Sequence, residues 1–94
     1  VMFTLQIEHK IKDYELWKEA FDRDPVNRAA SGVTAPRISR PVDDPNYVVV
    51  ELDFEQRAQA EALLAKLQAT VWNSPAAAPA LQGAPATRII ESAP

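Results

Sequence analysis

The stretch from His9 to Asp22 constrains the chain most. Before it, Met2 to His9 alternates strictly, with Phe3, Leu5, Ile7 and His9 on one side and Thr4, Gln6 and Glu8 on the other. That period of two predicts a strand with one face on an apolar layer. From Asp13 the period changes. Tyr14, Trp17 and Phe21 stand three and four residues apart, so a helix puts all three rings on one face. Asp13 has the position and chemistry of an N-cap, and the helix is expected to run to about Arg23.

A helix restart is predicted at Asp24-Pro25, with Asp24 as cap and Pro25 at the first position, where its missing N–H is not needed. The second piece, residues 26–31, is expected to stop at Gly32 in a left-handed conformation. A bent helix of this kind widens the space between helix and sheet. Residues 33–42 read as a second strand, placed at a sheet edge because Pro36 and Pro41 cannot donate to a ladder. Asp43-Asp44-Pro45-Asn46 reads as a tight turn. After it, Val48, Val50, Leu52 and Phe54 alternate with Tyr47, Val49, Glu51 and Asp53 in the clearest strand of the chain. From Glu55 to about Trp72 the period is helical again, with Ala60, Leu63, Leu64, Leu67 and Val71 as the apolar stripe. A further restart is expected at Ser74-Pro75, giving a short helical turn that reaches Leu81 and closes at Gly83. Residues 86–92 are expected to form the last strand.

The predicted order is β-α-β-β-α-β over residues 1–94, read as a single domain. Right-handed crossovers place the first two strands parallel with a gap that the third fills. The expected fold class is α+β: a ferredoxin-like four-stranded antiparallel sheet with both helices on one face. Its other face carries Thr4, Gln6, Tyr47, Val49 and Glu51, too mixed for a core and too apolar to lie comfortably in water. A chain of 94 residues is short of core. A homodimer through that helix-free face is therefore expected.

Composition excludes several classes of function. The 47% hydrophobic content argues against disorder, and a net charge of −3 with scattered basic residues argues against nucleic acid or an anionic membrane as partner. With no cysteine there is no disulfide framework and no thiol nucleophile, which suits a reducing cytoplasm. No apolar run approaches the ~20 residues of a membrane span, and no signal peptide opens the chain. The single histidine has no Asp, Glu or His partner at ligand spacing, so no metal site is expected, and no cofactor-binding motif is present.

His9-x-Ile11-x-Asp13-Tyr14-x-x-Trp17-Lys18-x-x-Phe21, together with Asp43-Asp44-Pro45-Asn46 before a valine-rich strand, resembles the dimeric α+β barrel superfamily, in particular its antibiotic-biosynthesis-monooxygenase-like members. The resemblance extends more loosely over the whole length. It implies two ferredoxin-like sheets packed face to face, helices outside, and a pocket in each subunit between its sheet and helices. It also implies a range of activities, from cofactor-free quinone-forming monooxygenases to small isomerases and cyclases. The asparagine-tryptophan arrangement of the quinone-forming monooxygenases is not reproduced; Trp17 matches by residue type only.

His9 admits two readings. It is a structural imidazole bonded to the helix start, with Asp13 as the candidate partner, or an acid/base at the mouth of a pocket. Tyr14, Trp17 and Phe21 are core residues at helical spacing, or equally the walls of a pocket for an aromatic ligand, with Trp72 closing the far side. Arg37 and Arg40 fall on opposite faces of the edge strand. Either is solvent-facing by default, and one aimed inward would suit an anionic or enolate oxygen. The function expected is a small-molecule pocket protein, a cofactor-independent monooxygenase, cyclase or isomerase on a small aromatic or polyketide-like substrate. The alternative is a non-catalytic binding or structural homodimer.

Overall fold

The computed structural model describes residues 2–24, 27–34, 36–72 and 81–93. Its elements are β1 (Phe3–Ile11), α1 (Tyr14–Asp22), β2 (Pro36–Ser39), β3 (Tyr47–Phe54), α2 (Arg57–Lys66), a π-helical turn at Leu67–Val71, and β4 (Leu81–Glu91). The strands lie in the order β2-β3-β1-β4, and each neighbouring pair is antiparallel. β1 and β2 thus run parallel with β3 between them, as the crossover argument requires. The expected α+β ferredoxin-like sheet is present.

The alternation in β1 and β3 becomes two faces. Leu5, Ile7 and Ile11 of β1 and Val48, Val50, Leu52 and Phe54 of β3 are buried in one cluster with Trp17 of α1 and with Ala60 and Leu63 of α2. Both helices therefore cover the same face. Ala60 is fully buried, which shows why a small residue stands where α2 approaches the sheet. α1 keeps its sequence-predicted bounds because Asp13 is extended and its Oδ2 accepts the Leu16 N–H at 2.9 Å, satisfying one of the donors a helix start leaves open. α2 begins two residues later than Glu55. Gln56 is the extended N-cap, and its N–H donates to Gln59 Oε1 at 3.3 Å.

Three expectations are corrected. Asp24 is not the cap of a second helix. It adopts φ 53°, as Asn27 does at φ 51°, whereas a helix cap is extended. Its carboxylate accepts the Arg28 N–H at 2.9 Å, and residues 28–32 form turns that end at Gly32 with φ 98°. The left-handed glycine was foreseen; the helix before it was not formed. Pro25 and Val26 lie outside the described residues, as do the restart at Ser74-Pro75 and the helical turn after it up to residue 80. Second, β2 is shorter than residues 33–42, although its edge position holds, and the Thr34 N–H still bonds the Asp53 carbonyl at 2.9 Å. Third, Leu81 and Gly83 belong to β4, not to a helix end. Glu8 pairs with Ala86 while Lys10 pairs with Gln82, so residues 83–85 bulge opposite His9. Gly83 supplies φ 83°, and Pro85, with no N–H to give, falls where the ladder is irregular. Five residues of strand before residue 86 thus escape a simple alternation test.

The helix-free face is built as a polar network. Thr4 Oγ1 donates to Asp53 Oδ1 at 2.7 Å, and the Arg37 guanidinium bonds both oxygens of Asp53. Gln6 Nε2 reaches Glu51 at 3.4 Å, and Tyr47 Oη donates to Glu8 at 2.9 Å. Val49 lies among these groups, half-buried, with Glu8 directly opposite it.

Candidate functional site

β1 and α1 bring His9 and the three aromatic residues together. His9 lies on the apolar face of β1, between Ile7 and Ile11, and is only 6% exposed. Its Nδ1 lies 3.0 Å from the carbonyl oxygen of Lys10, not against Asp13, whose carboxylate is engaged by Leu16. The sequence reading placed this bond at the helix start, with Asp13 as the candidate partner; the ring instead meets the backbone carbonyl of the next residue in β1. Burial pushes the imidazole below its ordinary value of 6.5, and the Lys10 carbonyl only partly opposes this. The ring is therefore neutral near pH 7. A neutral imidazole bonded to a carbonyl through Nδ1 must carry its proton there, which leaves Nε2 as a lone-pair acceptor.

Trp17 is the centre of the aromatic face. His9 meets it edge-on, with ring centroids 6.2 Å apart and planes at 61°. Phe21 stacks on its other side at 5.1 Å, and Tyr14 lies tilted at 5.9 Å. The helical spacing of the three residues was enough to foresee this face. Trp72 is half-buried against the core after the π-helical turn, where its N–H bonds the Leu67 carbonyl at 2.9 Å. Among the described residues no ring contact joins it to the cluster of His9 and Trp17.

Two arginines cap the aromatic face, and the sequence reading missed one of them. Arg28 lies 3.7 Å over the Phe21 ring; its Nη1 donates to the Phe21 carbonyl at 2.9 Å and pairs with Asp24 at 3.3 Å. Seven residues and a turn separate Arg28 from Phe21, so no helical spacing announced the contact. Arg40 lies 4.0 Å over the Tyr14 ring. Arg37 points to the opposite face of the sheet, where Asp53 and Glu51 hold it. The two arginines do point to opposite sides as expected, but Arg40 lies just beyond the end of β2, so strand parity is not what orients it.

An open groove of about 490 Å³ runs along the outer flank of α1, beside Tyr14, Lys18 and Asp22. It is not the space between helix and sheet, and its walls are occupied by the ion pairs Lys18–Asp22 and Arg23–Glu19. It shares only Tyr14 with the His9 cluster, and its other walls are charged, so we assign it no role. Among the described residues, no group of three His, Cys, Asp or Glu side chains is placed to hold a metal ion. Nor is any helix there long and apolar enough to cross a membrane.

Two solved structures share this architecture. One is a candidate antibiotic biosynthesis monooxygenase from Nitrosomonas europaea, with 18% identity, a TM-score of 0.72, and coverage of 97% of this chain and 89% of that one. The other is a dimeric ferredoxin-like protein from an uncultured marine organism, with 17% identity, a TM-score of 0.63, and coverage of 98% and 96%. At such identities the likeness establishes the fold and nothing finer. No protein-family model matches the chain, and a comparison with curated proteins finds no match. The ferredoxin-like fold implied by the antibiotic-biosynthesis-monooxygenase resemblance is the fold observed.

Proposed function

We propose that the chain is a single-domain homodimer that holds a small aromatic or polyketide-like molecule at the aromatic face of α1. In this reading His9 is the acid/base of a cofactor-independent monooxygenase, cyclase or isomerase, acting in the cytoplasm. One observation carries the reading: a buried imidazole, kept neutral by its surroundings and with Nε2 as acceptor, stands edge-on to Trp17. Each of the three reaction classes can begin with removal of a proton from an acidic O–H or C–H, which a neutral imidazole can accept. Trp17, Phe21 and Tyr14 supply the apolar walls that a planar substrate needs. Trp72 is assigned the far wall by its place after α2.

Support for the dimer comes from the sheet. Its helix-free face carries Glu8, Glu51 and Asp53 beside Lys10, Arg37 and Arg88, a balance of signs that a second copy can match. The marine neighbour, which its description calls dimeric, points the same way.

A tryptophan fluorescence screen of small phenols, quinones and lactones tests the pocket, since Trp17 and Trp72 are the only emitters of their kind. Once a substrate is found, His9→Asn decides the role of the imidazole. If His9 is the acid/base, turnover falls by ~10²–10⁴ with binding retained. If turnover survives and only stability drops, His9 anchors structure. One observation favours the non-catalytic reading: Trp17 is already 91% covered by its own neighbours, being 9% exposed. A screen without a single quenching ligand would select that reading.

A further inference from the structure

The cations around the aromatic face are not equivalent. Arg28, over Phe21, is neutralised by Asp24 and spends a donor on the Phe21 carbonyl. Arg37, on the same sheet edge as Arg40, is held by Asp53 and Glu51 on the far side of the sheet. Arg40 has no carboxylate partner among the described residues. Its guanidinium carbon lies 4.0 Å over the Tyr14 ring. A cation–π contact uses the charge of the guanidinium and leaves its N–H groups able to donate to an acceptor. A carboxylate or enolate is the acceptor that a guanidinium fork fits best, because two parallel N–H bonds can form at once. His9 adds no charge to the aromatic cluster, since burial keeps the imidazole neutral.

We propose that Arg40 selects anionic planar molecules, its guanidinium binding a carboxylate or enolate oxygen while the ring of the ligand lies against the exposed part of Tyr14, next to the buried Trp17. This deepens the functional reading above and rests on it. Tyr14 holds the guanidinium in place, so less side-chain freedom is lost on binding than for an unsupported arginine. Ligands that carry the same ring without the negative charge bind more weakly.

The test uses the whole chain and a matched pair of probes, phenylacetate and phenylacetamide, titrated at pH 7 with tryptophan emission as readout. Wild type is expected to favour the carboxylate at least tenfold, a preference that shrinks as salt is raised. Arg40→Gln is expected to abolish the preference. Arg40→Lys keeps the charge without the fork and restores only part of it. Arg40 is exposed, so its variants should fold, and circular dichroism checks that they do. Equal binding of the two probes by wild type, or a preference that survives in Arg40→Gln, overturns the role of Arg40 and leaves the aromatic pocket standing. Binding of neither probe, with no change in emission, overturns both.

Discussion

His9 and Trp17 are joined edge to face, their ring centroids 6.2 Å apart, and this contact ties the end of β1 to the middle of α1. Burial of the same imidazole makes stability depend on pH. The buried imidazole has its pKa lowered below 6.5, so the unfolded chain binds a proton more readily than the folded one. Stability from the neutral ring is intact above 6.5 and is lost as pH falls from there through the lower folded value. Thermal unfolding between pH 8 and 5 should therefore show the melting temperature falling on the acid side. In His9→Asn that part of the slope should vanish. Parallel profiles for the two proteins would mean that the imidazole is not held neutral.

Asp13 anchors the other side of the same junction. Asp13→Ala removes the bond from its Oδ2 to the Leu16 N–H and a negative charge from the start of α1. Urea unfolding at neutral pH should register a loss of ~1 kcal/mol. A loss within experimental error would place the start of the helix elsewhere.

The dimer is tested on Val49. Glu8 lies directly opposite Val49 in the sheet, so a lysine there would find a partner within its own subunit. Glutamate would instead face Glu8 as a directly opposite like charge. Val49→Glu should convert a species of twice the 10.4 kDa chain mass into monomer in sedimentation runs at micromolar concentration. A wild-type protein that sediments as a monomer under the same conditions would remove the dimer from the account.

The two glycines differ in a measurable way. At Gly83, φ is 83° and no atom lies within 4 Å of an added Cβ, so Gly83→Ala should cost ~1 kcal/mol from the backbone alone. At Gly32 the added Cβ would stand 2.7 Å from Gln59 Nε2, and Gln59 is the side chain that holds the Gln56 N–H. Gly32→Ala should therefore destabilise more than Gly83→Ala in paired urea titrations. The reverse order would show that Gln59 moves aside freely and that its bond to Gln56 contributes little.

What the sequence by itself determined is everything that depends on neighbours a few residues apart. The alternation of Phe3 to His9 and of Val48 to Phe54 dictated two strands and their buried faces, and the spacing of Tyr14, Trp17 and Phe21 dictated a single aromatic face. Asp13 marked the start of α1 because a cap bonds within its own turn. The tertiary structure alone decided which distant groups those faces would meet. It set the His9 ring edge-on to Trp17, placed Arg28 over Phe21, and separated Arg37 on Asp53 from Arg40 on Tyr14. It also extended β4 back to Leu81, because the bulge at residues 83–85 absorbs Pro85 and the glycine that read locally as the end of a helix. The physical reason is range. Periodicity and capping are settled by bonds within one turn or one pleat, whereas register and charge pairing are settled only when β1 has β3 and β4 beside it.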